Sequence, residues 1–246
     1  MSASFGERVK ETALSLLFPR RCPVCGEIVM PKGQRICPPC VKKLDFVREP
    51  RCMKCGRSID EEASRYCHSC ETRERHFERN LALLFYDDRM RRAMAAVKYH
   101  HKKEYLAPLG HLLALKFSEE LRRFAADCLL PVPLHSARRR ARGFNQAEEL
   151  ARELARETGL LLYTDVLLRE KKTVAQKSLG ADARIRNLAS AFRAEEGLVR
   201  ERKIRRVILV DDIYTTGSTL EACSQVLRAA GVEKVLCICL CIVAED

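Results

Sequence analysis

The chain has 246 residues, 47% of them from the set Ala, Val, Ile, Leu, Met, Phe, Trp, Tyr and Cys and 32% charged, which bounds it to a globular protein of one large or two modest domains and excludes fibrous classes. The longest charge-free apolar run, Val235 to Ala244, falls far short of the ~20 residues of a bilayer-spanning helix, so no membrane insertion is expected. A net charge of +12 favours polyanionic partners, either nucleic acid or multiply phosphorylated small molecules.

That charge is unevenly spread: residues 131–206 hold 18 Lys/Arg against 10 Asp/Glu, and residues 1–76 hold 15 against 10. At the N-terminus an apolar cluster of Leu14, Leu16, Leu17 and Phe18 follows Glu7, Arg8, Lys10 and Glu11 with no small-residue cleavage site after it. This pattern predicts an N-terminal helix rather than a signal peptide, and a cytoplasmic location.

Eight of the 13 cysteines fall between Cys22 and Cys70. They read Cys22-Pro-Val-Cys25, eleven residues, Cys37-Pro-Pro-Cys40, and then Cys52-Met-Lys-Cys55, eleven residues, Cys67-His-Ser-Cys70. Each cysteine of the second set lies thirty positions after its counterpart, which marks an internal duplication. A Cys-x-x-Cys turn delivers two thiolates to one ion, and two such turns supply the four soft ligands of tetrahedral zinc.

Two structural Zn²⁺ ions are therefore expected, each with a closed set of four cysteines. Disulfides suit a reducing compartment poorly, and a thioredoxin-like role lacks the strand-to-helix setting. Consecutive pairing, Cys22, Cys25, Cys37 and Cys40 on one ion and Cys52, Cys55, Cys67 and Cys70 on the other, is the simpler topology, with interleaved pairing open. His68 and His76 are surplus to two filled sites and read as surface residues. The stretch has too little apolar content for a conventional core and depends on metal to fold. Its lysines and arginines fit nucleic acid, while Phe46 and Tyr66 are sparse aromatics for base stacking.

From Leu81 onward short apolar runs alternate with amphipathic stretches, which predicts α/β layers. Strands are expected at Leu81–Tyr86, Cys128–Val132 and Asp165–Leu168, and helices at Arg89–Lys98, Tyr105–Phe124 and Gln146–Glu157. The last of these has Asn145 as its cap and Gly159 beyond its end. Cys237, Cys239 and Cys241 alternate along one face of a final strand, where three thiols read as small core residues.

The most informative segment begins at Val207-Ile208-Leu209-Val210, a β-branched run without polar alternation, as expected of a strand buried on both faces of a parallel sheet. Asp211 and Asp212 follow at its carboxyl end, then Ile213-Tyr214-Thr215-Thr216-Gly217-Ser218-Thr219 and a helix with Leu220, Cys223, Val226 and Leu227 on one side. Ligands of open α/β sheets bind beyond the strands' carboxyl ends. Thr215, Thr216, Gly217, Ser218 and Thr219 offer hydroxyls and backbone N–H groups at a helix N-terminus, a site for phosphate, and Gly217 permits close approach. Two carboxylates would repel a phosphate but accept a ribose diol and help hold Mg²⁺. A phosphorylated sugar is implied.

This segment resembles the phosphoribosyl pyrophosphate loop of type I phosphoribosyltransferases. With the cysteine repeat in front, residues 20–246 resemble the ComF family, associated with DNA uptake in natural competence. Pro131-Val132-Pro133-Leu134, Arg142-Gly143-Phe144-Asn145-Gln146 and the series Thr173, Gln176, Leu179, Arg184, Asn187 share the resemblance, and His101 departs from it where glycine is expected.

The resemblance implies a double zinc ribbon over residues 1–76 and, over 77–246, a parallel sheet flanked by helices. It implies phosphoribosyl pyrophosphate bound with Mg²⁺ by Asp211, Asp212 and Thr215 to Thr219, and a pyrophosphate loop at Val132, Pro133 and Arg142, approached by Arg138, Arg139 and Arg140. Residues 169–187 would be a lid with Lys171, Lys172 and Arg184 as candidate charge partners. The implied chemistry is displacement of pyrophosphate from C1 of the ribose by an acceptor that no residue identifies. The competing expectation is a non-catalytic module that binds nucleotide or single-stranded DNA and partners a helicase in DNA uptake.

Overall fold

The computed structural model describes residues 19–59, 64–170 and 188–244. The candidate lid residues Lys171, Lys172 and Arg184, with Thr173, Gln176, Leu179 and Asn187, lie outside them. The chain divides into two compact units, Met1–Leu44 and Asp45–Asp246.

The first unit contains one cysteine knuckle and a one-turn helix, α1 (Pro38–Val41). Cys22 N–H donates to Glu27 O at 2.8 Å, Gly26 N–H to Cys22 O at 2.9 Å, and Cys40 N–H to Cys37 O at 2.8 Å. The second unit repeats these bonds thirty residues on. Cys52 N–H donates to Arg57 O at 2.7 Å, Gly56 N–H to Cys52 O at 3.0 Å, and Cys70 N–H to Cys67 O at 2.8 Å, with α2 (His68–Glu71) in the place of α1. Sequence duplication is thus duplication of a hydrogen-bonding scheme.

The main sheet has five parallel strands in the order β1 (Arg79–Phe85), β7 (Lys234–Ile242), β6 (Arg206–Tyr214), β2 (Cys128–Pro131), β3 (Leu161–Leu162). Helices α3 (Asp88–Tyr99), α4 (Leu106–Lys116), α5 (Ser118–Phe124), α6 (Ser136–Arg142), α7 (Gln146–Thr158), α8 (Glu196–Glu201) and α9 (Ser218–Ala229) connect the strands. Crossover helices cover both faces, so the central strands carry continuous apolar runs: Val207–Val210 and Val235–Ile242 are buried throughout. Cys237, Cys239 and Cys241 belong to that core, and burial pushes their thiols well above the ordinary cysteine range, which leaves them protonated and inert.

Two expectations shift. The single helix over Tyr105–Phe124 is a 3₁₀ turn (Lys103–Tyr105) followed by two helices, broken at Phe117, whose φ of −108° and ψ of 17° leave the helical region. The strand expected at Asp165–Leu168 is β4 (Leu167–Arg169), which leaves the main sheet to pair antiparallel with β5 (Phe192–Ala194).

The second compact unit begins at Asp45 and so takes in the second knuckle. The second knuckle lies along the free edge of β1: Asn80 N–H donates to Lys54 O at 2.7 Å and Asn80 Nδ2 to Cys55 O at 2.9 Å. A Cβ on Gly56, whose φ is +76°, would stand 2.3 Å from Asn80 O, so only glycine allows this approach. Cys52, Cys55, Cys67 and Cys70 consequently share a core cluster with Phe77, Leu209 and Leu220.

Candidate functional site

Strand β2 stops pairing with β6 at Pro131 opposite Val210, with one further bond from Val132 N–H to Val210 O at 2.9 Å, whereas β6 runs on beside β7 to Tyr214. Asp211 and Asp212 therefore sit on the strand rather than beyond it, where its neighbour has already turned away. That departure opens a cavity of about 340 Å³ lined by both aspartates, Thr215, Thr219, Val132, Pro133, Arg138 and Arg142. Asp211 is desolvated and stands beside the charge of Asp212, which together hold its carboxyl well above the usual range, and its Oδ1 accepts the Asp212 N–H at 2.8 Å.

The loop after β6 is shaped by Gly217. Its φ is +76°, and a Cβ there would meet Tyr214 Oη at 2.2 Å, so the glycine is required by the loop's own packing. Close approach of a ligand was the expected reason; the nearer constraint is internal. Thr216 Oγ1 and Ser218 Oγ lie 2.8 Å apart on an exposed surface at the start of α9.

Asn145 joins two elements. Its Oδ1 caps α7 through Ala147 N–H at 3.2 Å, and its Nδ2 donates to Val132 O at 2.9 Å, tying the turn after β2 to the helix. Gly143 closes α6 in the left-handed region at φ +77°. Arg142 donates from Nη1 to Gln146 Oε1 at 3.2 Å and stacks over Tyr99 at 6.0 Å. The arginine cluster divides: Arg138 and Arg142 line the cavity, Arg139 pairs with Glu148 at 3.2 Å, and Arg140 is exposed.

Lys98 and Tyr86, which sequence reasoning did not place at the site, line it as well, as do Gln146 and Arg169. Lys98, from the last turn of α3, has its Nζ 2.7 Å from Asp212 Oδ2. Tyr86 follows the end of β1. Gln146, 2% exposed, has a buried Nε2 without a protein partner, and so does the Nε of Arg169, whose guanidinium lies 5.1 Å from the Phe192 ring. Buried donors are nearly always paired, so these two are available to a ligand or water. Chain position hid Lys98 and Tyr86, because α3 and the end of β1 reach the cavity only through sheet topology. A second hollow of about 420 Å³, lined by Leu115, Leu121, Ala125 and Leu160, is mostly apolar and lacks such a convergence of polar groups.

The eight repeat cysteines fall into two clusters by consecutive pairing. In each, the four Sγ atoms lie within 4.8 Å of one another, and Cys55 and Cys67 are 3.6 Å apart, the spacing of thiolates around one tetrahedral ion with ~2.3 Å bonds. Both clusters are consistent with structural Zn²⁺. The second is wholly buried, whereas Cys25 of the first is exposed and Cys37 half-buried. His76 is no ligand: its Nδ1 and backbone N–H engage Glu221 in the first turn of α9. His101, where glycine was expected, has φ +54°, a conformation glycine adopts freely.

Comparison with known proteins adds an independent line. The pattern of the double zinc ribbon domain matches residues 13–71, and that of the phosphoribosyl transferase domain matches residues 140–246. The chain is 31% identical over 222 residues to Competence protein F of Haemophilus influenzae, spanning 89% of this chain and 95% of that protein. It is 29% identical over 232 residues to DNA utilization protein YhgH of Salmonella typhi, covering 92% and 98% of the two chains. With Competence protein ComFC of Streptococcus pneumoniae the identity is 28% over 202 residues, covering 81% and 84%. No helix among the described residues is long and apolar enough to cross a membrane.

Proposed function

The chain belongs to the ComF family, in which a double zinc ribbon precedes a phosphoribosyl transferase domain, and from that premise we propose that it binds phosphoribosyl pyrophosphate with Mg²⁺ at the carboxyl end of β6. The observation that carries this reading is a cavity with opposed chemistry. Carboxylates and hydroxyls line it together with the Gln146 amide, Arg142, Arg138 and Arg169. Asp211 and Asp212 accept the ribose hydroxyls, the backbone and hydroxyls of Thr215 to Thr219 take the 5′-phosphate, and the basic side chains with Val132 and Pro133 receive the pyrophosphate. Aspartate oxygens suit a hard cation carried by the pyrophosphate, and Mg²⁺ there would offset leaving-group charge.

On this reading pyrophosphate leaves C1 of the ribose while an acceptor attacks, and the protein contributes positioning and charge neutralisation. Calorimetry tests the binding step. Wild type should show Mg²⁺-dependent heat with phosphoribosyl pyrophosphate, and Asp211→Asn/Asp212→Asn should lose about one to two decades of affinity, each charged hydrogen bond being worth ~1.5–3 kcal/mol. No binding by wild type at millimolar ligand would sink the reading.

A second reading, sugar phosphate binding without transfer, draws on the lining: it contains neither His nor Glu among the described residues, and Asp212 is already engaged by Lys98. Release of pyrophosphate on adding nucleobases and other candidate acceptors separates the two. The names of the relatives, competence and DNA utilization, extend both readings to a part in DNA uptake or use, with single-stranded DNA and a helicase as the partners to be tested.

A further inference from the structure

The second cysteine repeat reaches the loop after β6 through two guanidinium groups. Arg57, two residues after Cys55 and 8% exposed, donates from Nε to Val243 O at 2.9 Å and from Nη2 to Thr215 O at 2.5 Å, and it lies over the Tyr214 ring at 5.7 Å. Arg75, five residues after Cys70, donates from Nη2 to Thr216 O at 3.2 Å. His76 then holds Glu221 at the start of α9. The two carbonyls that precede Gly217 and the first turn of the following helix are all held from the cysteine repeat.

A held carbonyl fixes more than itself. In a planar trans peptide the C=O and the next N–H point in opposite directions, so tethering Thr215 O and Thr216 O orients the N–H groups of Thr216 and Gly217 away from the repeat. The tether in turn depends on the knuckle, because Cys52 N–H bonds to Arg57 O and all four cysteines of this cluster are buried. Nothing comparable is needed for the sheet itself, whose strands pair with one another.

We propose that Arg57 and Arg75 are positioning residues for the Thr215–Thr219 loop, and that metal loading of the Cys52, Cys55, Cys67, Cys70 cluster thereby sets the loop's affinity for a phosphate monoester. The affinity clause rests on the phosphate reading above; the ordering clause stands without it. The zinc ribbon of this repeat is then part of the sugar phosphate site, and loss of its metal is a route by which the site is switched off.

Hydrogen exchange at residues 214–219 and calorimetry with ribose 5-phosphate test this on the full zinc-loaded chain, comparing wild type, Arg75→Lys and Arg57→Lys/Arg75→Lys. Lysine keeps the charge and loses the fork. The double variant should retain two zinc ions per chain, exchange its loop amides about tenfold faster and bind ribose 5-phosphate about tenfold more weakly; Arg75→Lys, at a more exposed position, should show a smaller change in the same direction even if the double variant folds poorly. Stripping zinc from wild type should loosen the loop as the second ion leaves. Unchanged loop exchange in Arg75→Lys and in metal-stripped wild type overturns the proposal. If wild type binds no ribose 5-phosphate while its loop exchange responds as expected, the phosphate reading fails and the positioning role survives.

Discussion

Lys98 Nζ lies 2.7 Å from Asp212 Oδ2, with the two side chains 20% and 16% exposed. The pair joins the last turn of α3 to the strand that carries the candidate sugar site. Asp212 is therefore an oriented, charge-paired acceptor. Asp211, one position earlier, is held among protein groups that disfavour its ionisation.

Removing one partner of a mostly buried pair leaves the other charge uncompensated. Lys98→Met should destabilise the protein by ~1–3 kcal/mol in urea unfolding. Lys98→Met/Asp212→Asn should recover part of that loss, and an additive double variant would show that the pair does not interact.

Asp211 gives a pH dependence with a definite sign. Its folded carboxyl titrates above its unfolded value, so the folded state binds the proton more tightly, and this contribution to stability is present at low pH and lost as pH rises through the folded value. Asp211→Asn should therefore gain stability relative to wild type as pH rises from 3 to 8, and be no more stable near pH 3. Thermal melts across that range check it, and a difference from wild type that does not grow with pH would contradict it. The same change should weaken sugar phosphate binding.

Gly217→Ala should fail structurally before it fails in binding. The left-handed φ and the Tyr214 hydroxyl 2.2 Å from the added Cβ together cost ~1–3 kcal/mol, read as a lowered melting temperature without ligand. Gly217→Ala/Tyr214→Phe leaves ring carbons 2.5 and 2.9 Å from that Cβ and should regain little of the loss.

Gln146→Leu probes a donor with no protein partner. It should leave the melting temperature within a few degrees of wild type, weaken phosphoribosyl pyrophosphate about tenfold, and leave ribose 5-phosphate within about twofold, because Gln146 stands beside Arg142 among the groups that receive the pyrophosphate. Equal loss for both ligands would move Gln146 to the sugar.

The two cysteine clusters should differ in lability. Cys25 is exposed, whereas every cysteine of the second cluster is buried, so a chelator should remove one zinc per chain quickly and the second slowly. Cys22→Ser should hold one ion. A single rate for both ions, or disulfides in a metal-free folded protein, would refute this.

Local chemistry made the thirty-residue cysteine repeat, the strand Val207–Val210, the cap at Asn145 and the loop Thr215–Thr219 readable from the chain, because spacing, β-branching and helix-start residues act over a few positions. The consequences of sheet order were not readable. Lys98 meets Asp212, and Arg57 meets Thr215, across 114 and 158 positions of sequence, brought together only when β1, β7 and β6 align in parallel. The second cysteine repeat joins the sheet's core through the edge of β1. Four ligands at fixed spacing determine a metal cluster, but only the free edge of β1 and a glycine able to approach Asn80 decide what that cluster rests against.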